Sequence, residues 1–555
     1  MSVRESFQGR HLLVTGFTGF LGKVWVAFLL DHLEEVGRLT LLVRGRRDET
    51  AVERVRQIFE CSPALRPLRE KHGDRLLDLV REKIEVVEAD AREPLCGIHP
   101  AILASLAPRL DGVVHCAGLT DFAPDPIAAV EVNVIGAMHA ADLAARTPEK
   151  RLIHVSTCFV AGEVDGDVPE TLTVGESPNG TRFDVEHEIV ALRSACETID
   201  RQEGGPRKTA ARRRRVELGT KRAQALGWPN LYTYSKGLAE HALAARTDLS
   251  LCLIRPSIVE CARSYPFPGW NEGINTSGPI VWMCSGFAWK VPMRADNKFD
   301  VVPVDTCARG MTIAIADHLA DRKATRGPTI VQLASGDHNP FTFDRALDLT
   351  ALKVRRGYVP SGVSAVERAL LTHMDSTATN HGADQSYLLG AAHKATSWLR
   401  DRMKSFDADR HLPSALENKA EIADRVHDAR LKLNKTSMLL KSVEQLWKSY
   451  QPFIHDRDYR FSTQRVRART AELDLDERKT FGWDLETMSW RTYWMDIEIP
   501  GLDKWSLPLL RGKDVPEDDP VDLGGDPPQL TARALPSNEL SASEPAHADA
   551  EPFAK

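Results

Sequence analysis

The stretch HLLVTGFTGFLGKVWVAFLLDHLEEVG, residues 11–37, decides the fold. A short apolar run of strand texture (HLLVT, 11–15) enters a turn with glycines at 16, 19 and 22. The turn leads into an apolar segment of helix length (KVWVAFLLDHLEEVG, 23–37). Strand, glycine turn and helix in that order open a nucleotide-binding α/β sheet. Gly16 permits the sharp exit from the strand, Gly19 lets the backbone approach a diphosphate, and Gly22 lets the helix pack close to the sheet. The helix N-terminus then presents free N–H groups and its positive dipole end to the anion. Thr15, Gly16, Thr18, Gly19, Phe20, Leu21 and Gly22 are the expected cofactor-binding turn.

Outward from this unit, short apolar runs alternate with helical patterns. LTLLVR (39–44), KIEVVEAD (83–90), DGVVHCAG (111–118), RLIHVST (151–157) and LSLCLIRPS (249–257) read as strands. Residues 48–82, NVIGAMHAADLAAR (133–146) and a segment starting near Asn230 read as helices. That alternation predicts an α/β fold, a Rossmann-type doubly wound parallel sheet covered on both faces, with right-handed crossovers. The expected reductase-type domain is 1–340, with a helical insertion at 162–228 and substrate-side elements at 257–340. Within the insertion, helix begins near Val185. From about Phe341 strand texture largely vanishes, so 341–510 is expected as a mostly helical C-terminal domain. It includes an amphipathic helix at Leu433–Tyr450 and an aromatic cluster of Phe481, Trp483, Trp490, Tyr493, Trp494 and Trp505. Residues 511–555, acidic and proline-rich, are expected to be disordered.

Composition narrows the classes. The 555 residues are 42% hydrophobic and 27% charged, with a formal net charge of -6. This describes a soluble globular chain and gives no reason to expect a nucleic-acid partner. The balance hides two opposed segments: 201–225 has nine basic and two acidic residues, and 515–555 has two basic and nine acidic. Nine cysteines lie between Cys61 and Cys307 without a CxxC pair, so neither a disulfide framework nor a metal site is expected. The N-terminus lacks a signal-peptide core, and no uninterrupted apolar run reaches the ~18 residues of a membrane span. The expected location is cytoplasmic, with peripheral membrane contact left open. Oligomeric state leaves no mark on the sequence.

Strand two ends in Val43-Arg44-Gly45-Arg46-Arg47, with no acid before Asp48. An NAD site usually ends this strand with an acid for the ribose hydroxyls. Arg44, helped by Arg47, would instead meet a 2′-phosphate and stack on adenine, which favours NADPH; a solvated basic turn is the alternative. Asp90 ends strand three and either bonds the adenine amine or is a plain loop acid. Pro256, ending the 249–257 strand, is placed with the cofactor residues.

Tyr232 and Lys236 form a YxxxK, which on a helix sets both side chains on one face. The ammonium would pull the phenol below its ordinary pKa of ~10 and also hold the nicotinamide ribose. Ser156 and Thr157 end strand five at its carboxyl edge; Thr157 is favoured as the hydroxyl beside Tyr232, against a role as strand-end cap. Asn133 braces the site, carries a relay water or caps its helix. Cys158 is read as a small core residue rather than a thioester-forming nucleophile.

Several blocks extend the pattern: VTGFTGFLGKV (14–24), LLVRG (41–45), HVSTCFVAGE (154–163) and LGWPNLYTYSKGLAEH (226–241), then LIRPSIVE (253–260), YPFPGWNEG (265–273), DVVPVD (300–305) and SWRTYWMDIEIPGL (489–502). Together they resemble the fatty acyl-CoA reductases, the male-sterility-type family of extended short-chain dehydrogenase/reductases, and within it the bacterial alcohol-forming enzymes. The resemblance implies Thr157, Tyr232 and Lys236 as catalytic, NADPH as cofactor, and a fatty acyl-CoA as substrate, reduced through the aldehyde to the alcohol. CAGLTDF at 116–122 departs from the alanine-rich form usual in the family. Arg212–Arg215 is then either a solvated helix face or a contact for coenzyme A phosphates. Pro279–Met293 lines an acyl tunnel, dips into a membrane surface, or is core. The rival classes are a reductase stopping at aldehyde or acting on carrier-protein thioesters, a sugar-nucleotide epimerase or hydroxysteroid dehydrogenase, and a non-catalytic NADPH-binding scaffold.

Overall fold

The computed structural model describes residues 2–356 apart from 275, 285–289, 292 and 322–326, residues 450–519 apart from 511 and 516, and isolated positions between 357 and 449. Seven parallel strands form the central sheet: β1 (His11–Thr15), β2 (Arg38–Val43), β3 (Ile84–Glu88), β4 (Gly112–His115), β5 (Arg151–Val155), β6 (Ser250–Pro256) and β7 (Thr329–Leu333). Their order across the sheet is β7-β6-β5-β4-β1-β2-β3. β1 is central: Leu13 is in register with Thr40 of β2 on one side and Val113 of β4 on the other. Successive strands run outward from β1 in opposite directions, so a crevice opens between the carboxyl ends of β1 and β4, where such sheets bind ligands. The fold is therefore the doubly wound α/β sheet that the strand-and-glycine pattern implies.

Both faces are covered by helices with apolar inner sides. On one, helix α1 (Phe20–His32) buries Val24, Trp25, Phe28 and Leu29. On the other, helix α2 (Pro126–Ala144) lays Ala137, Ala140, Ala141 and Ala144 against Leu13, Val113 and Leu152. Alanines at that spacing let a helix approach a sheet closely. α2 is long and apolar enough to cross a membrane by length and composition, but more than half of it is buried against this fold. Asp125 caps it, accepting from Ile127 N at 3.1 Å, and its Val130–Ile135 segment is π-helical. The insertion supplies α3 (Val185–Glu203) and α4 (Thr209–Ala225), which pack with α2 and with α5 (Leu231–Ala244) through Ile189, Leu192, Trp228 and Tyr234. Helix α6 (Val304–Ala320) lies beside α1.

Four details differ from the sequence expectations. β7 was not anticipated; TIVQL is only five residues with a glutamine among them, a weak strand signal. α1 begins at Phe20, because Gly19 acts as N-cap. Residues 48–82 break into three helices, Ala51–Cys61, Arg66–His72 and Leu76–Lys83, with Pro63 and Gly73 at the breaks. Lastly, the described parts of 341–510 do not make a core of their own. Phe481, Trp483, Trp490, Tyr493, Trp494 and Trp505 join the cluster that contains α1 and α6. A Cβ on Gly310 of α6 would lie 2.9 Å from the Trp483 ring, and Trp490 donates to the carbonyl of Asn339 at 3.0 Å. Ser2, Val3 and Arg4 all bond Glu477, tying the first helical turn of the chain to the helix Leu475–Phe481. The amphipathic helix expected at Leu433–Tyr450 and the tail beyond 519 lie outside the described residues.

Candidate active site

A cavity of about 700 Å³ opens at the β1/β4 crevice, lined by Gly16, Gly19, Phe20, Leu21 and Gly22 and also by Cys116, Thr157 and Tyr232. The glycine turn is built as the spacing demands. Gly16 has φ +79°, and a Cβ there would lie 2.6 Å from the backbone of Cys116 and Ala117. A Cβ on Gly22 would lie 2.2 Å from the Gly16 carbonyl oxygen, so this glycine lets the helix close on the turn itself. Gly19 differs: its nearest neighbour would be 3.4 Å away, and no side chain caps the helix it starts. Open space beside uncapped first-turn N–H groups fits a dinucleotide diphosphate. Phe20 and Leu21 line the cavity, whereas Thr18 is half-buried and is not among its lining residues. Thr15 does not face it. Its side chain is buried, bonded to His115 Nδ1 at 2.9 Å and accepting from Ala117 N at 3.2 Å, so it fastens the loop after β4 instead of touching a cofactor.

At the adenine end, Arg44 is exposed at the tip of β2 with Asp90 3.7 Å away, and Arg47 is exposed beside it. The Asp90 carboxylate is already committed: Arg92 donates to it from Nη2 at 2.6 Å and from its backbone N at 3.0 Å, which holds it below the usual carboxylate range despite partial burial. It is therefore a loop-fastening acid, not a free acceptor for adenine. Glu88, the other acid nearby, accepts from Ala51 N at 3.0 Å. Pro256 is buried at the end of β6, in register with Leu333.

α5 carries the YxxxK. Asn230 caps it, accepting from Thr233 N at 2.9 Å, and this sets Tyr232 in the first turn beside the cavity. Thr157, at the tip of β5, lines the cavity beside Tyr232 and favours ionisation of its phenol, while Ser156 Oγ is buried without a partner among the described residues. The structure thus separates two adjacent hydroxyls in favour of Thr157. Lys236, one turn on, is 3% exposed and donates to the Val155 carbonyl at 2.9 Å. Burial pushes its ammonium down to about 8. The Tyr232 phenol is pushed up to about 12, again by burial, against a smaller lowering by Thr157. This corrects the expectation that Lys236 pulls the phenol down: burial sets the direction, the smaller lowering comes from Thr157, and the ammonium is bonded to the Val155 carbonyl.

Asn133 proves to be a brace. It sits inside the π-helical segment, not at a cap, accepts from Leu119 N at 2.7 Å and donates to the Ser235 hydroxyl at 2.9 Å; Ser235 donates to the Tyr232 carbonyl at 3.0 Å. The loop 116–119 is thereby fixed to α5. Cys158 is buried, donates to the Arg255 carbonyl at 2.9 Å, and has its thiol pushed well up by burial, which suits a core residue and not a nucleophile. His115 and His154 stack 5.3 Å apart beneath the site and are both held neutral by burial.

An apolar wall flanks the tyrosine: Phe122 stacks 6.1 Å from Tyr232 and 5.8 Å from Phe453, and Phe159 meets Phe453 at 5.2 Å. Sequence reasoning missed Phe453 and Tyr450, since nothing local links positions that far along the chain to the glycine turn. It also missed Glu260 and Glu498, fully buried side by side behind this wall, both pushed above the carboxylate range by burial and held by Ser277 N, Cys261 N and the Tyr493 hydroxyl. The arginine run divides by helical geometry. Arg215 is buried against Asp125 and Asp200, Arg214 pairs with Glu203, and Arg212 and Arg213 are exposed. Of Pro279–Met293, Ile280, Val281 and Met293 are core residues, and 285–289 and 292 lie outside the described residues.

Fold and site define a nicotinamide-dependent oxidoreductase of the short-chain dehydrogenase/reductase type. The match to the family described as male sterility protein covers residues 14–311, more than half of the chain, and the protein belongs to that family. Among its relatives, the chloroplastic fatty acyl-CoA reductase 2 of Arabidopsis thaliana is 27% identical over 527 residues, spanning 91% of this chain and 80% of the relative. A probable fatty acyl-CoA reductase 5 of the same plant is 31% identical over 348 residues, 61% of this chain and 69% of that one. The alcohol-forming fatty acyl-CoA reductase of Simmondsia chinensis is 28% identical over 344 residues, 61% and 69% of the two chains. Of solved structures, the terminal R domain of the myxalamid PKS-NRPS pathway is similar at 16% identity and a TM-score of 0.49, covering 85% of this chain and 89% of that one.

Proposed function

We propose that the protein reduces a long-chain fatty acyl-CoA thioester with NADPH, releases coenzyme A, and carries the aldehyde on to the alcohol. The observation that carries this reading is that Thr157 and Tyr232 line one cavity together with the glycine turn. NADPH over NADH is supported by Arg44, exposed where an NAD site would place an acid, with the nearby acids Glu88 and Asp90 bonded elsewhere. The Phe122, Phe159 and Phe453 wall offers an acyl chain an apolar bed beside the reacting carbonyl.

Bound NADPH supplies the hydride. Thr157 and Tyr232 donate to the carbonyl oxygen, and both bonds tighten as that oxygen gains charge. A phenol held at about 12 stays protonated at neutral pH, so Tyr232 enters as an acid. Its proton passes to the more basic oxyanion. Lys236, still charged at pH 7 with its pKa near 8, steadies the phenolate that remains. Return of the hydroxyl proton to the Tyr232 phenolate lets the tetrahedral adduct collapse: the C=O bond re-forms, the C–S bond breaks, the thiolate leaves, and the aldehyde stays in reach of Thr157 and the re-protonated phenol. Asn133 and Ser235 keep the phenol in place through both rounds.

The test is a stoichiometry. Purified protein with palmitoyl-CoA and NADPH should oxidise two NADPH for each coenzyme A released. A ratio of one would stop the reaction at aldehyde, and no oxidation would overturn the proposal.

A further inference from the structure

Lys23 follows the last glycine of the turn on α1, yet it is only 6% exposed. Its ammonium donates to Glu272 Oε1 at 2.5 Å. Glu272 lies on the segment 264–276, and its side chain lines the same cavity as Gly16–Gly22. The second oxygen, Glu272 Oε2, is shielded from solvent and has no hydrogen-bond partner among the described residues. The acid is also held from behind. Its N–H donates to Asn271 Oδ1 at 2.8 Å, Asn271 donates to the Ser506 hydroxyl at 3.1 Å, and Ser506 donates to the Gly273 carbonyl at 2.7 Å. Glu272 is thus fixed between the glycine-turn helix and the C-terminal helix Ile499–Trp505.

A bare carboxylate at the wall of a diphosphate cavity would repel its ligand, and at an intermediate dielectric one such charge costs on the order of tenfold in affinity. Lys23 is placed to cancel that charge without filling the cavity. We propose that Lys23 neutralises Glu272 so that the cavity wall beside the glycine turn presents no net charge to the dinucleotide diphosphate. The inference rests on the dinucleotide reading of the cavity. Both are positioning residues, since the pair sets the charge of the wall and takes no part in proton transfer. The pair also makes cofactor binding depend on the seating of the 264–276 segment.

The test measures the NADPH dissociation constant by fluorescence quenching, without acyl substrate, for the wild type, Lys23→Met, Glu272→Gln and the double variant. Lys23→Met should weaken binding by about tenfold or more, since an uncancelled carboxylate then faces the diphosphate. Glu272→Gln and the double variant should both bind within about threefold of wild type, because the amide carries no charge to repel the diphosphate. A merely structural bridge predicts the opposite, with the double variant as weak as Lys23→Met. That result, or wild-type affinity in Lys23→Met, overturns the inference and leaves the cofactor site standing. If Lys23→Met does not fold, Lys23→Gln alone and with Glu272→Gln makes the same comparison. A wild type that binds no dinucleotide would instead overturn the reading on which the inference rests.

Discussion

Replacing Lys236 by methionine should stabilise the cofactor-free protein while destroying its activity. The ammonium is 3% exposed and lowered from 10.5 to about 8 by burial, so its charged form costs about 3 kcal/mol more in the fold than in the unfolded chain. Methionine fills a similar volume without that cost. It also loses the bond to the Val155 carbonyl, which returns about 1 kcal/mol. The net expectation at pH 7 is a gain of about 2 kcal/mol. The pH dependence carries the sign. Below about pH 8 Lys236 is charged in both states and the wild type bears the whole penalty. Between about 8 and 10.5 the folded lysine sheds its proton first, so wild-type stability rises relative to the variant and the gap closes. Urea denaturation of both proteins at pH 7 and pH 10 measures this directly. A variant less stable than wild type at pH 7, or a gap unchanged at pH 10, would refute the claim that Lys236 is held charged at a cost for the sake of the reaction.

Other substitutions probe the cofactor cradle and the chemistry. Arg44→Ala should lower the NADPH-to-NADH ratio of kcat/KM by about tenfold or more through loss of a charge-assisted phosphate contact, as steady-state kinetics with each cofactor would measure. The glycines should part company: Gly22→Ala drives a methyl to 2.2 Å from the Gly16 carbonyl oxygen and should cost about 2–4 kcal/mol in denaturation, whereas Gly19→Ala, with its nearest atom at 3.4 Å, should fold normally and lose dinucleotide affinity. Cys158→Ser keeps a donor for the Arg255 carbonyl and should turn over within about threefold of wild type, since no thioester is formed on the protein; complete loss in a folded variant would restore the covalent route.

How much of this was legible beforehand depended on whether a residue's role is local. The turn at 16–22 was readable because glycine spacing, strand and helix are adjacent in sequence, and Tyr232 with Lys236 because one helical turn sets them on one face. Thr157 is favoured over Ser156 by its spacing to Phe159-Val160-Ala161-Gly162, and Thr157 is the one of the two that lines the cavity. The surroundings of Thr15 and Asp90 were not readable, because their partners, His115, Ala117 and Arg92, decide which way they turn. The phenol's direction of shift was misjudged for a related reason: spacing shows that Lys236 is near Tyr232, but not that burial outweighs it. Residues 341–510 look like a separate domain by texture, yet Trp483 and Trp494 belong to the core of α1 and α6, a pairing that only long-range packing creates. Glu272 could have drawn notice as an acid inside the aromatic, proline-rich YPFPGWNEG block, but Lys23 lies far away in sequence.

Tyr232→Phe tests the central claim most directly. In a folded variant that still binds NADPH with wild-type affinity, acyl-CoA reduction should fall by about a hundredfold or more, since the acid that meets the developing oxyanion is gone while the phenyl ring remains. Reduction at the wild-type rate in that variant would contradict the account.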